Sequence, residues 1–88
     1  MIKAMVLEKT HTLVLHNDEE NDFLFVMAAL VRFCDHERDQ AEQCAIITHN
    51  VGKCAVKNGT FLDIYNLKSE LDEIGLKVEI EDYAGDLY

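Results

Sequence analysis

Three side chains in this 88-residue chain have the chemistry to hold an ammonium group: Asn17, Asp18 and His49. An amide oxygen, a carboxylate and a neutral imidazole nitrogen all accept hydrogen bonds, and an ammonium has three donors to place. Asn17 and Asp18 follow the apolar run Leu13-Val14-Leu15 and precede an amphipathic segment, while His49 lies near the end of a later one. The three meet if those two segments are helices that pack as a pair. The plainer reading makes Asn17-Asp18 an ordinary turn and His49 an ordinary last-turn residue. Beside them, Ala45, Thr48 and His49 are spaced i, i+3, i+4 and share one helical face, and Phe23 and Val26 share a face of the preceding helix. Those residues either wall an apolar pocket next to the acceptors or pack as ordinary core.

Other chemistries find less support. His11, His16, His36 and His49 could offer metal ligands among many carboxylates, but His11 and His16 face opposite sides of a strand. No His-x-x-x-His or HExxH pattern occurs, and neither a metal nor another cofactor is expected. Cys34, Cys44 and Cys54 form no Cys-x-x-Cys pair and read as buried free thiols, with redox or metal chemistry as the alternative. There is no nucleophile elbow, the one serine, Ser69, falls mid-helix, and phosphate-cradling glycine loops are absent. Hydrolysis by a pair of carboxylates stays open on spacing, although a domain this small rarely builds a deep catalytic cleft.

Eight Lys and Arg against seventeen Asp and Glu give a net charge of -9. Such a surface repels phosphate backbones and anionic lipid, which argues against nucleic acid and membrane surfaces as partners and favours cationic ones. Apolar residues make up 49%, enough for one core in a chain this short. No apolar run reaches the roughly 18 residues of a membrane span. The start, Met1 to Lys9, is too often interrupted by charge to read as a signal peptide, so a cytoplasmic protein is expected.

The elements that must position these residues are legible from periodicity. Residues 10–16 read as a β-branched, apolar strand. Phe23, Val26, Met27, Leu30 and Cys34 predict a helix over 22–34, with Asn21 as its N-cap. Asp35 is the expected cap of a second helix over roughly 36–50, with Ala41, Cys44, Ala45 and Thr48 inward and Gly52 at its end. Cys54-Ala55-Val56 predicts a short strand, Asn58-Gly59 a tight turn, and Thr60-x-x-Asp63 a capping box. Ile64, Leu67, Leu71 and Ile74 mark a third helix stopped by Gly75, and Leu76, Val78 and Ile80 alternate with charges as a half-buried strand. Residues 1–9 read as a short extension, 10–82 as one domain and 83–88 as a loose tail. The expected fold is α+β, a two-layer sandwich with a three-stranded antiparallel sheet and three helices on one face, in the order β-α-α-β-α-β.

From Thr10 to about Lys53 the chain resembles the ClpS adaptor family. Leu13-Val14-Leu15-His16-Asn17-Asp18-Glu19 is similar to that family's strand ending in Asn-Asp-Asp, and Thr48-His49-Asn50-Val51-Gly52-Lys53 to its Val-His-x-x-Gly-Lys signature. Phe25-Val26, Leu30 to Phe33 and Ala41-Glu42-Gln43 match between them, and the likeness resumes at Leu76 to Glu81, covering about four-fifths of the chain. The resemblance implies the same fold and a non-enzymatic adaptor, which binds proteins with Leu, Phe, Tyr or Trp first and delivers them to the N-terminal domain of a Clp-family AAA+ unfoldase. It implies that Asn17, Asp18 and His49 hold the α-amino group and Asn21 the first peptide unit. The side-chain pocket would be lined by Phe23, Val26, Ala45, Thr48 and Leu76, and Asp63 and Lys68 would face the unfoldase. Ala45 stands where the family commonly has Met, Phe23 where Met is usual, and Thr48 where an aliphatic residue is usual. Ala45 removes bulk that guards the pocket against β-branched residues, Phe23 fills part of the space and Thr48 adds a hydroxyl, so the preference would broaden towards Ile or Val. The extension used in handing over substrate is here about nine residues. The alternative is an interaction module of this fold without the amine site, like the C-terminal domain of the ribosomal stalk protein, docking a partner through its helices. A small metal-dependent enzyme or metal carrier is a third class.

Overall fold

The computed structural model describes residues 10–82, so the expected extension and tail lie outside the described residues. The elements are β1 (His11–His16), α1 (Phe23–Cys34), α2 (Arg38–Val51), β2 (Lys53–Gly59), α3 (Phe61–Glu73) and β3 (Val78–Asp82), in the expected β-α-α-β-α-β order. The sheet order is β2-β1-β3, with both pairings antiparallel. β1 is therefore the central strand, and Thr12 to Leu15 are buried one after another. Leu13 and Leu15 enter one core with Leu30 of α1, Ala41 and Cys44 of α2, and Ile64 and Leu71 of α3. Alternate strand residues point to one side, so these contacts place the three helices on a single face of the sheet.

The stripes of α2 and α3 fall where periodicity put them, whereas α1 buries Ala29, Leu30 and Cys34 and leaves Phe23, expected on its inner face, 40% exposed. Ala41, Cys44, Ala45 and Thr48 are the buried residues of α2, and Ile64, Leu67 and Leu71 those of α3. Gly52 ends α2 with φ 110 and Gly75 follows α3 with φ 96, a backbone region that side chains with a Cβ resist. Thr60 caps α3 by accepting from the Asp63 N–H at 3.2 Å.

Three local expectations are corrected. The N-cap of α1 is Asp22, whose carboxylate accepts from the Phe25 N–H at 2.8 Å, and not Asn21. Asn21 is spent on tertiary contacts described below. Asp35 does not cap α2; it ends α1 in the left-handed region at φ 58, its N–H turned back to the Leu30 carbonyl. Aspartate tolerates that conformation better than most residues, and the short link between two packed helices demands it. α2 then starts at Arg38 behind Glu37, which makes no side-chain cap. Asn58-Gly59 is not a tight turn but the end of a longer β2, because Asn58 is paired with Thr12 and accepts from its hydroxyl at 2.7 Å. The register of β2 slips by one residue between the partners of Leu13 and Val14, leaving Val56 as the extra residue of a bulge. Val56 is buried, and its carbonyl accepts from His36 Nε2 at 2.8 Å.

Asp22→Ala removes the only side-chain cap of α1 and is expected to lower unfolding stability by about 1 kcal/mol, read as a lower urea midpoint at unchanged slope.

Candidate functional site

The end of β1, the loop that follows it, the first two turns of α1, the last turns of α2 and the residue two before β3 enclose a cavity of about 500 Å³. Asn17, Asp18, Asn21, Phe23, Val26, Ala45, Thr48, His49 and Leu76 all line it. Residues up to 59 positions apart in sequence thus meet around one hollow. Leu15, His16 and Glu19 also line it and were not singled out from sequence. Their adjacency to Asn17-Asp18 was the available signal.

Backbone bonds set the mouth. The His16 N–H donates to the Lys77 carbonyl and the Asn17 N–H to the Gly52 carbonyl, each at 2.9 Å. The first anchors the exit of β1 to the approach to β3, the second to the end of α2. Gly52 in turn donates to the Thr48 carbonyl at 2.9 Å, so the His49 turn is tied to the same point.

Asp18 is held by its own loop. Its Oδ1 accepts from the N–H groups of Glu20 at 2.9 Å and Asn21 at 3.0 Å. The Asn21 side-chain amide donates to both carboxylate oxygens, at 3.3 and 3.2 Å, and to the Gly75 carbonyl at 2.9 Å. Burial alone would raise the Asp18 carboxyl; the two backbone donors, the Asn21 amide and the Lys77 charge outweigh it and hold it below the usual carboxylate value. Asp18 is therefore anionic through the neutral range. Asn21 links this carboxylate to the Gly75-Leu76 segment, and so links the polar mouth to the apolar wall.

That wall is apolar in effect as well as composition. Ala45, Thr48 and Leu76 are buried, and Phe23 is partly exposed at the rim. The Thr48 hydroxyl donates to the Cys44 carbonyl at 2.8 Å, so the group that set it apart from an aliphatic residue is already satisfied within α2. At position 45 the side chain is a single methyl, which takes up little of the hollow's space.

The remaining sequence candidates lie elsewhere. Asp63 is exposed near the start of α3, and Lys68 on the same helix pairs with Asp72 at 2.7 Å. Neither lines the cavity. His11 packs edge-on to Phe61 with ring centroids 5.2 Å apart and faces Asp82 at 3.5 Å, while His36 holds the β2 bulge. Among the described residues no group of three or more His, Cys, Asp or Glu side chains is arranged to hold a metal ion, and no helix is long and apolar enough to cross a membrane.

Because its folded value is depressed, Asp18 contributes stability above the ordinary carboxylate value, and that contribution is lost as pH falls through the folded value. Asn21→Ala removes two of its hydrogen bonds. The Asp18 carboxyl followed by carbon-detected NMR is expected to titrate at higher pH in this variant than in the parent.

Comparison with known proteins gives a consistent picture. No curated protein matches the sequence. Among solved structures, ClpS2 of Agrobacterium tumefaciens bound to L-phenylalaninamide is similar in fold, with a TM-score of 0.75 and 18% identity over 86% of this chain and 99% of that one. The family described as ATP-dependent Clp protease adaptor protein ClpS matches residues 7–79. With a match that spans most of its length and the same β-α-α-β-α-β arrangement, this chain belongs to the ClpS adaptor family.

Proposed function

We propose that the cavity receives the free N-terminus of a polypeptide whose first residue is bulky and apolar, and that the chain presents this N-degron to the N-terminal domain of a Clp-family AAA+ unfoldase. The supporting observation is a hollow of about 500 Å³ that has acceptors at its mouth and a methyl-lined wall within. In this reading Asn17, Asp18 and His49 take the three donors of the α-ammonium, and Ala45, Thr48, Val26, Phe23 and Leu76 surround the first side chain. An α-amino group titrates at roughly 7.7–8.0, so it is largely cationic at neutral pH. Asp18 meets it as an anion. Burying the first side chain adds about 1.5–3 kcal/mol, and the net charge of -9 speeds encounter with a positive terminus. The ligand in the Agrobacterium structure, L-phenylalaninamide, has this chemistry: a free α-amino group and a benzyl side chain on one carbon.

Asn21 takes the first peptide unit through a single atom in this reading. Its amide N–H groups are committed to Asp18 and Gly75, which leaves only its carbonyl oxygen for the first peptide N–H. Delivery is assigned to α3, where Asp63 stands beside the exposed Phe61, Leu62 and Tyr65, with Lys68 on the same helix.

Fluorescence anisotropy with peptides that begin with Phe or Leu tests the reading. They bind, and the same peptides N-acetylated do not; equal binding of the two forms overturns it. Asp18→Ala and His49→Ala each weaken binding by more than about 1 kcal/mol, or roughly fivefold in Kd. Position 45 sets the breadth of the preference. The parent accepts Ile- and Val-initiated peptides, and Ala45→Met reduces those more than it reduces Leu or Phe, because the longer side chain fills the space that a β-branched residue needs close to its α-carbon.

A further inference from the structure

Leu24, Ala28 and Val31 are spaced i, i+4, i+7 and form one stripe along α1. All three are exposed, Leu24 at 73% and Val31 at 44%. The buried residues of the helix, Ala29, Leu30 and Cys34, occupy the side towards the core. One exposed leucine is unremarkable, but an apolar row at helical spacing marks a contact surface.

Charge is distributed unevenly around this row. α1 holds one charged residue, Arg32, in a chain of net charge -9. α2 carries Asp39 and Glu42, and α3 carries Asp63, Glu70, Asp72 and Glu73. Arg32 is exposed near the end of α1, with its guanidinium carbon 5.6 Å from the Phe33 ring centroid, and it makes no ion pair among the described residues. Just ahead of α1 stand Glu20 and Asp22, both exposed. Asp22 uses Oδ1 to cap the Phe25 N–H, which leaves Oδ2 for another donor.

We propose that α1 is the contact of a symmetric dimer, in which the helices of two copies cross antiparallel with Ala28 on the two-fold axis. A two-fold axis brings a patch onto itself, so the patch must be self-complementary. This one is: small in the middle, apolar on both sides, basic at one end and acidic at the other. The Ala28 methyl lets the helices approach closely, and Leu24 of each copy packs beside the partner's Val31 and the stem of the partner's Arg32. At a rise of 1.5 Å per residue, Arg32 lies about 6 Å past the axis and the partner's Asp22 about 9 Å past it in the same direction. An arginine side chain spans that gap, and the symmetry makes the pair twice. A parallel crossing would instead oppose Arg32 to its own copy. Elsewhere the negative charge of two copies drives them apart, whereas the helix faces that meet here carry no carboxylate. Phe23 and Val26, which line the cavity, sit on another side of α1 from the stripe. The dimer therefore leaves both cavities open and does not depend on what they bind.

Sedimentation equilibrium of the full chain from micromolar to millimolar concentration tests the proposal. The mass is expected to rise from the 10.1 kDa of one chain towards twice that value. Ala28→Glu and Val31→Lys, both at exposed positions, are expected to hold it at one chain. Asp22→Asn separates specific pairing from net charge, because asparagine caps a helix about as well as aspartate. The loss of one negative charge would by itself tighten association; the pairing with Arg32 makes this variant dissociate several-fold more readily. Arg32→Gln does the same, and the double variant is no weaker than either single one. Ala28→Cys, oxidised with copper-phenanthroline, is expected to join two copies through the introduced thiols, located by peptide mapping. A mass of one chain at every concentration, a dimer that survives Ala28→Glu, tighter association of Asp22→Asn, or no cross-link at position 28 overturns the proposal.

Discussion

Asn17 is the residue at which β1 leaves the sheet, and its N–H reaches across to the Gly52 carbonyl at 2.9 Å while that of His16 reaches the Lys77 carbonyl at the same distance. The central strand is thus gripped on both sides at the point where it ends. Everything at the cavity mouth inherits its position from that grip. The loop after Asn17 hangs from it and curls the Asp18 carboxylate onto the loop's own N–H groups. The last turn of α2 is tied to it through Gly52, which can close the helix only because it adopts φ 110. A side chain with a Cβ at position 52 would strain the closure and loosen strand, loop and helix at once. The strand can bear this role because four successive residues, Thr12 to Leu15, are buried, which leaves little freedom to slip in register.

How much of this could be read from the sequence depended on whether the deciding contact was local. Ala41, Cys44, Ala45 and Thr48 announce their shared face by spacing alone, and they are buried together. Leu76, Val78 and Ile80 alternate with charges and face inward by the same rule, although β3 itself begins only at Val78. Gly52 and Gly75 mark the two helix ends because each ending needs a backbone that glycine favours. The polar residues were harder. Asn21, Asp22 and Asp35 are interchangeable as caps in local chemistry, and what separates them is tertiary: Asn21 finds the Gly75 carbonyl 54 residues away, and Asp35 must turn the chain between α1 and α2. Asn58-Gly59 carries a strong turn signal, overridden by pairing with Thr12 of the central strand.

The two halves of the site are unequal in what they contribute. At the exposed mouth an ion pair is screened by water and worth about 1 kcal/mol. The apolar wall offers about 1.5–3 kcal/mol for a filled side chain. Association costs more than either one alone provides, so a ligand of the proposed kind must engage both. On the proposed reading a surface lysine would compete poorly with the start of a chain. Its ammonium sits at the end of an unbranched stem, with no side chain on the carbon that bears it. An α-amino group shares its carbon with the first side chain, so placing one in the mouth directs the other at the wall. Asn21, bonded to Asp18 on one side and to the segment before Leu76 on the other, fixes the offset between mouth and wall. The distance from α-nitrogen to side chain is the same in every L-residue, and a rigid offset between acceptor and hollow is therefore sufficient to recognise an N-terminus without reading the sequence that follows it.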